Sequence, residues 1–303
     1  MRWLFAARRL RELGILGMNR RNAAYILDHN PRSRFPLVDD KLRLRELCAT
    51  IGVPTPDIYA VISRPSMLGR LPELLAGRRD FVLKPSRGSA GRGILVVLDR
   101  AGDRFIRHNG EALRLEDIRQ HLADILSGLY SLGGRPDQAL VQYRVQLHPI
   151  FEPLAFKGIP DVRVILYRNE PAMAMLRLPT RASNGRANLH QGGIGVGVEI
   201  ETGRTHHAVQ HNRFVDAHPD TGVSLVGVTI PCWGEVLAMS RRVAAAVGLG
   251  YVGVDIVIDA QRGPMLLEAN ARPGLAIQIA NAQGLLPRLE AIDRAWAARS
   301  MAP

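Results

Sequence analysis

The chain has 303 residues, 47% of them hydrophobic and 22% charged, which is ordinary globular composition with length enough for one large domain or two modest ones. Lys and Arg number 40 against 28 Asp and Glu, a formal net charge of +12 that points to an anionic partner such as a nucleotide, a nucleic acid or a membrane surface without choosing among them. Cys48 and Cys232 are the two cysteines, far apart and outside any CxxC pair, which excludes a disulfide framework and a thiolate zinc site and suits a reducing, cytoplasmic setting.

The first 21 residues hold Arg2, Arg8, Arg9, Arg11, Arg20 and Arg21. Their apolar run, Trp3 to Ala7, is too short for a signal-peptide core, so the segment reads as a basic amphipathic helix. Either Leu4, Leu10, Leu13 and Leu16 dock on the body, or the helix meets a membrane surface or a protein partner. The run Val243 to Val254 is too short and too rich in glycine to span a bilayer. Residues 1–38 are expected to form a basic N-terminal segment, 39–138 a first part with a small lid, and 139–303 the remainder.

Asp39 or Asp40 can cap a helix through Ile51 that buries Leu42, Leu44, Leu47 and Ile51 and stops at Gly52. Asp80 to Lys84 and Ile94 to Leu98 read as strands joined by a glycine-rich loop, and Leu115 to Leu126 as a helix. Strands follow at Ala139 to Val145, Val162 to Arg168 and Ala172 to Leu178, the last two joined by a turn at Asn169 and Glu170. Pro231 suits the first turn of a helix carrying Trp233, Val236, Leu237, Val243, Ala244 and Val247 on one face. A hairpin from Tyr251 to Asn270, turning at DAQRGP, and a helix from about Leu285 to Arg299 complete an α+β chain without internal repeats.

Three groups of residues suggest chemistry. Lys84, at a strand end, precedes Ser86, Gly88, Ser89, Gly91 and Gly93, a fixed cation followed by open backbone N–H groups, as a polyphosphate requires. It lacks the GK[ST] of a Walker A loop, and a solvent-exposed hairpin tip is the alternative. In the last hairpin, antiparallel pairing centred between Gln261 and Arg262 sets Asp255 opposite or nearly opposite Glu268, with Asn270 on the same face. Two carboxylates on otherwise apolar strands repel unless protonated or metal-bound, and Mg²⁺ with nucleotide phosphates is the common remedy; exposure to water is the other. The third group is Asp161, Arg163, Arg177, Asn188 and His190, where guanidinium forks suit a carboxylate or a phosphoryl group; solvated strand arginines and a structural His190 are the alternatives. Gly193 to Gly197 lacks the spacing of a dinucleotide loop.

Lys41, then FVLKPSRGSAGRGI, ALVQYRV, DVRVILY, RANLHQGG, GVDIVI and LLEANARPG, resembles in order and spacing the ATP-grasp superfamily over residues 39 to 290. The set is most similar to the ribosomal S6 modification enzyme and α-L-glutamate ligase-like proteins, and the stretch before Lys41 resembles their sugar-transfer-associated subgroup. The resemblance implies two α+β subdomains clasping ATP and an ADP-forming carboxylate–amine ligase working through an acyl phosphate. It implies that Lys41, Lys84, Ser86, Gly88, Ser89, Gly91 and Gly93 meet the ATP phosphates, and that Gln142, Tyr143 and Val145 line the adenine hinge. It further implies that Asp255, Glu268 and Asn270 hold two Mg²⁺ ions, with Mn²⁺ as a substitute, that Arg163, Arg177 and Arg272 are catalytic, and that Asn188 and His190 bind substrate. Tyr143 replaces a glutamate common in relatives, and the N-terminal region is reduced, so that another chain could complete the acceptor site. Expected partners are a small carboxylate and amine, or a peptide or protein acceptor. A phosphotransferase on the same scaffold is one alternative. A non-catalytic nucleotide- or nucleic-acid-binding module is another, disfavoured by scattered basic residues and 5% aromatics.

Overall fold

The computed structural model describes residues 8–88 and 91–300. The expectations for Arg2, Trp3, Leu4 and Ser89 fall outside these residues. Two compact units divide the chain: the smaller takes Asp40–Leu42 and Thr55–Gln146, and the larger takes the N-terminal segment to Asp39, then Arg43–Pro54 and Leu147 onward.

Helix α1 (Lys41–Thr50) opens with the Asp40 Oδ1 accepting the Leu42 N–H at 3.0 Å, the expected acidic cap, and buries Leu44 and Cys48. In the smaller unit, strands β1 (Ile58–Ile62), β2 (Phe81–Pro85), β3 (Leu95–Ala101), β4 (Arg104–Arg107) and β5 (Ala112–Leu113) precede helix α2 (Leu115–Leu126) and strand β6 (Ala139–Gln142). They form an antiparallel sheet in the order β1-β6-β2-β3-β4-β5. Helix α2 packs Ile118, Leu122 and Ile125 onto Phe81, Leu83, Val97 and Phe105. These residues alternate along β2 and β3, as a sheet with one buried face demands.

The larger unit holds β7 (Asp161–Tyr167), β8 (Glu170–Leu178), β9 (Ile194–Val198), β10 (Thr205–Gln210), β11 (Arg213–Phe214), helix α3 (Trp233–Val247), β12 (Tyr251–Asp259), β13 (Gly263–Asn270), and helices α4 (Ile277–Ala280) and α5 (Leu286–Ser300). The sheet runs β11-β10-β9-β8-β7-β12-β13, antiparallel throughout. One face gives Val162, Val164, Leu166, Ala174, Leu176, Val254 and Ile256 to a core closed by Val236, Met239 and Val243 of α3. The other face gives Ile165, Tyr167, Met173 and Tyr251 to a second core with Tyr25, Ile277, Leu285 and Leu289. The purely antiparallel pairing makes the fold α+β.

Several boundaries differ from the sequence expectation. Residues 139–142 pair with β1 and β2, so the division between units falls after this strand rather than at 139. The strand ends at Gln142, not Val145. The described part of the N-terminal segment gives Leu16, Tyr25 and Ile26 to the core of the larger unit, so it belongs with that unit rather than with a part of its own. Arg168 and Asn169, both at positive φ, make the turn expected at Asn169 and Glu170, so that β8 begins at Glu170. Cys232 adopts a left-handed conformation (φ 54°), which delays α3 to Trp233. The glycine-rich residues 194–198 form the wholly buried strand β9; Gly195 and Gly197 admit Leu189 and α4, whose atoms lie within 2.6 Å of where a Cβ would stand.

Of the leucines expected to dock, Leu16 is buried, whereas Leu10 and Leu13 are each 51% exposed. The reason lies in the anchor. Gln278 of α4 accepts the Leu16 N–H (2.8 Å) and donates to its carbonyl (3.1 Å), a side-chain imitation of strand pairing that reaches no further up the segment. Asn30 repeats the device: it accepts the Tyr251 N–H and donates to the carbonyls of Tyr251 and Ala271 at 2.7 and 3.1 Å. Asn30→Asp keeps the acceptor and sets a carboxylate against two buried carbonyl oxygens, so it should lower unfolding free energy by roughly 2–4 kcal/mol in a denaturant titration, at least as much as Asn30→Ala.

Candidate functional site

The chemically distinctive cluster of the larger unit lies on β7, β8, β12 and β13. Asp255 pairs in register with Glu268 on one side and with Arg163 on the other, and Asp161 pairs with Arg177. Gly253 pairs with Asn270; its missing side chain lets Pro273 fold back to 2.6 Å from where a Cβ would stand, turning the chain sharply after Asn270. The expected opposition of Asp255 and Glu268 is therefore present, with Asn270 two residues on.

Asp255 is fully buried. Arg163 grips it as a fork, Nε to Oδ1 at 2.7 Å and a terminal nitrogen to Oδ2 at 2.5 Å. Arg177 donates to the same Oδ2 at 2.7 Å and, through Nε, to Asp161 at 2.5 Å. The repulsion expected between Asp255 and Glu268 is thus met first by two guanidinium groups, because Arg163 stands directly opposite Asp255 in the sheet. Burial alone would raise the Asp255 carboxyl, but the charges of Arg163 and Arg177 overcome it and hold the group well below the usual carboxylate range. Asp161, also buried, is bonded by Arg177 and feels the Asp255 charge, and burial, the largest cause, pushes it up to about 6. For Arg177, the neighbouring Asp161 and Asp255 outweigh burial and strengthen its hold on the proton.

Glu268 lies 4.0 Å from Arg163 and is partly exposed. Asn270 Nδ2 approaches Asp255 Oδ2 at 3.3 Å and Glu268 Oε1 at 3.4 Å. Three oxygen-bearing side chains therefore gather on one face, and hard oxygen donors suit Mg²⁺ or Mn²⁺. Among the described residues no three His, Cys, Asp or Glu side chains form a metal-binding group, and Asn270 turns its Nδ2 toward both carboxylates. Both Asp255 oxygens accept from arginine, which leaves Glu268 as the carboxylate least engaged by arginine and the one most open to a divalent cation.

Other expected residues stand apart from this hydrogen-bonded cluster. Arg272 is exposed and lies over the Phe35 ring at 5.1 Å. Asn188 Oδ1 caps the turn Leu189–Gln191 by accepting the His190 N–H, while the His190 side chain is exposed. Asp161, named in the sequence without a role, is the member the motif reading missed. Its signal was the i, i+2 spacing to Arg163 on one strand face.

In the smaller unit, Lys84 is buried at the end of β2 and Ser86 follows it, 1% exposed. Ser86 Oγ donates to Asp40 at 3.0 Å, its carbonyl accepts the Lys41 N–H, and Lys41 Nζ donates to the Gly88 carbonyl at 2.8 Å. Arg87 reaches Asp40 through Nε at 3.1 Å, and its N–H reaches Asp137 at 3.0 Å. The N-terminus of α1 therefore ties down the start of the glycine-rich loop. At its other end Gly93 (φ 72°) packs against Tyr130, with the ring 2.6 Å from where a Cβ would stand, and its carbonyl meets His121 Nε2 at 3.0 Å. Gly91 also has positive φ (71°), so the loop's course depends on both glycines. Lys41, Lys84, Ser86 and Gly88 are thus gathered around β2 and the start of α1. Gln142 donates to the Pro56 carbonyl at 3.1 Å, Val145 is buried, and the Tyr143 N–H is given to the Asp57 carbonyl at 2.8 Å, which removes that donor from the expected hinge.

Arg177→Lys cannot serve Asp161 and Asp255 together, and it should cost about 3–5 kcal/mol in denaturant unfolding, close to Arg177→Ala, because a buried carboxylate is left without its fork. The raised Asp161 takes up a proton on folding. Its stabilising share is complete below the unfolded carboxyl value near ~4 and is lost as pH rises through about 6. Asp161→Asn should accordingly flatten the decline in stability across that window, followed by thermal melts at stepped pH.

A family model described as sugar-transfer associated ATP-grasp matches residues 20–294. A curated relative, a probable alpha-L-glutamate ligase of Sodalis glossinidius (strain morsitans), is 25% identical over 236 residues, covering 78% of this chain and 57% of the relative. D-alanyl-alanine synthetase A from Vibrio cholerae O1 biovar eltor, a solved structure, matches with a TM-score of 0.50 at 10% identity, over 86% of this chain and 61% of the other, a likeness of fold alone. This chain thus spans less than two thirds of either protein. The match over residues 20–294 shows that the chain belongs to the sugar-transfer-associated ATP-grasp family.

Proposed function

We propose that the chain is an ADP-forming ligase that joins a carboxylate to an amine, the γ-phosphoryl group of ATP passing first to the carboxylate. The observation that carries this reading is the register of Asp255 against Glu268, with Asn270 beside them and Arg163 and Arg177 behind, in a chain of the ATP-grasp family. Lys41, Lys84, Ser86, Gly88, Ser89, Gly91 and Gly93 are assigned to the triphosphate, and Gln142, Tyr143 and Val145 to the adenine. Asp255, Glu268 and Asn270 are assigned to Mg²⁺, which when bound neutralises phosphate charge.

The roles of the remaining residues follow from their charge. Arg163 and Arg177, locked by buried carboxylates, keep their orientation without reorganising during the reaction and offer fixed positive charge to a carboxylate or a transferring phosphoryl group. Asp255 stays ionised throughout because its carboxyl is held so low. Arg272, and the Asn188 amide with His190, are assigned to the substrate. The bond from the γ-phosphorus to the bridging oxygen breaks as one forms to the substrate carboxylate. The amine nitrogen then attacks the acyl carbon, loses a proton, and inorganic phosphate leaves. Glutamate is the first amino acid to supply, given what the Sodalis relative is called. Acceptors to test include small amines, peptides and proteins.

ADP and phosphate release should be followed with Mg-ATP and amino acids singly and in pairs. Release that needs a particular acid and amine supports ligation. Phosphate that remains on the substrate would establish the phosphotransferase reading instead. Glu268→Gln should lower substrate-dependent turnover by about 100-fold or more with an unchanged melting temperature, and retained turnover would overturn the metal assignment. Lys84→Ala should weaken ATP binding about tenfold or more by calorimetry, the loss of one buried cation at the phosphates.

A further inference from the structure

In the N-terminal segment, two leucines stay exposed beside the described body of the protein. Leu10 and Leu13 are spaced i and i+3, as on one helix face. Residues 8–12 are helical, and Leu10 and Leu13 are each 51% exposed. Docking begins at Gly14, whose carbonyl accepts the Leu286 N–H at 3.0 Å, and continues at Leu16, where the Gln278 amide takes hold. Met18 and Leu27, 64% and 65% exposed, add apolar surface to the same segment.

Basic residues border these side chains. Arg8, Arg9, Arg11 and Arg20 are all exposed; Glu12 pairs with Arg8 at 2.9 Å, Glu290 pairs with Arg20 at 3.2 Å, and Asp28 follows Leu27. We propose that this segment docks the protein on an anionic membrane surface, its leucines entering the headgroup boundary and its arginines meeting lipid phosphates. Charge selects this occupant. Guanidinium groups are weakly hydrated and pair with phosphate, and the whole chain carries +12. A second copy of the segment would instead bring arginine against arginine. No helix among the described residues is long and apolar enough to cross a membrane, so the mode is a helix lying in the interface. A short segment of this kind gives weak, reversible binding that salt weakens.

The test is sedimentation of the full chain with vesicles of phosphatidylcholine alone or mixed with phosphatidylserine. Binding should require phosphatidylserine, fall about tenfold or more in Leu10→Glu/Leu13→Glu, fall also in Arg8→Gln/Arg9→Gln/Arg11→Gln, and weaken with added salt. Both variants alter exposed side chains and should keep the parent's melting temperature and ATP affinity, which separates lost docking from lost folding. Equal binding to both vesicle types, no binding to either, or undiminished binding by the leucine variant would overturn the proposal. So would a change of oligomeric state in the leucine variant, which would make the two leucines part of an interface between copies of this chain.

Discussion

A fully buried carboxylate, Asp255, is clamped by two arginines, and the organisation of the larger unit follows from the need to satisfy it. An ionised carboxylate in an apolar sheet is tolerable only with its charge balanced and its lone pairs occupied. Arg163 from β7 does so in register, and Arg177 from β8 arrives diagonally. Each arginine in turn needs its own partners, which brings Asp161 into the cluster. Four side chains on three adjacent strands thereby fix one another's rotamers and the local register. Glu268 and Asn270, on the neighbouring strand, extend this rigid base toward solvent.

Rigidity of that kind is what electrostatic catalysis requires. Donors already aimed, and unable to relax, stabilise developing charge without a cost of reorganisation at the moment of reaction. The asymmetry between Asp255, held far down, and Asp161, pushed up to about 6, has the same origin: both are buried, and Arg163 and Arg177 bond to Asp255 whereas Arg177 bonds to Asp161. The smaller unit applies different means to its glycine-rich loop. There Asp40, at the start of α1, accepts from Ser86 and Arg87 while Lys41 donates to Gly88, so one helix end restrains the loop's beginning, and Tyr130 packs against Gly93 at its close.

Much of this was legible in the sequence wherever one rule dominated. Helix α2 agrees residue for residue, since its apolar spacing competes with nothing, and the turn midpoint of the last hairpin placed Asp255 opposite Glu268. The neutralising arginines were visible as residues but not as partners, because pairing of β7 with both β8 and β12 is a long-range choice that local spacing does not encode. Strands β1, β4, β5 and β9 to β11 escaped notice for related reasons. β9 is half glycine by pattern, small so that α4 and Leu189 can approach, and short edge strands such as β11 carry almost no periodic signal. The N-terminal segment misled through its own regularity. Its leucines are spaced for burial, yet the side-chain amides that anchor the segment begin only at Leu16.

The central claim is that a buried, arginine-clamped carboxylate supports phosphoryl transfer to a substrate carboxylate on the way to an amide. The most direct measurement supplies the supporting acid with a heavy-oxygen label in its carboxylate and follows the label by mass spectrometry during turnover of Mg-ATP. Transfer of one labelled oxygen into the released inorganic phosphate is the result this account predicts, because the acyl phosphate breaks between carbon and that oxygen. Phosphate free of label, or label retained in a stable phosphorylated product, would contradict it.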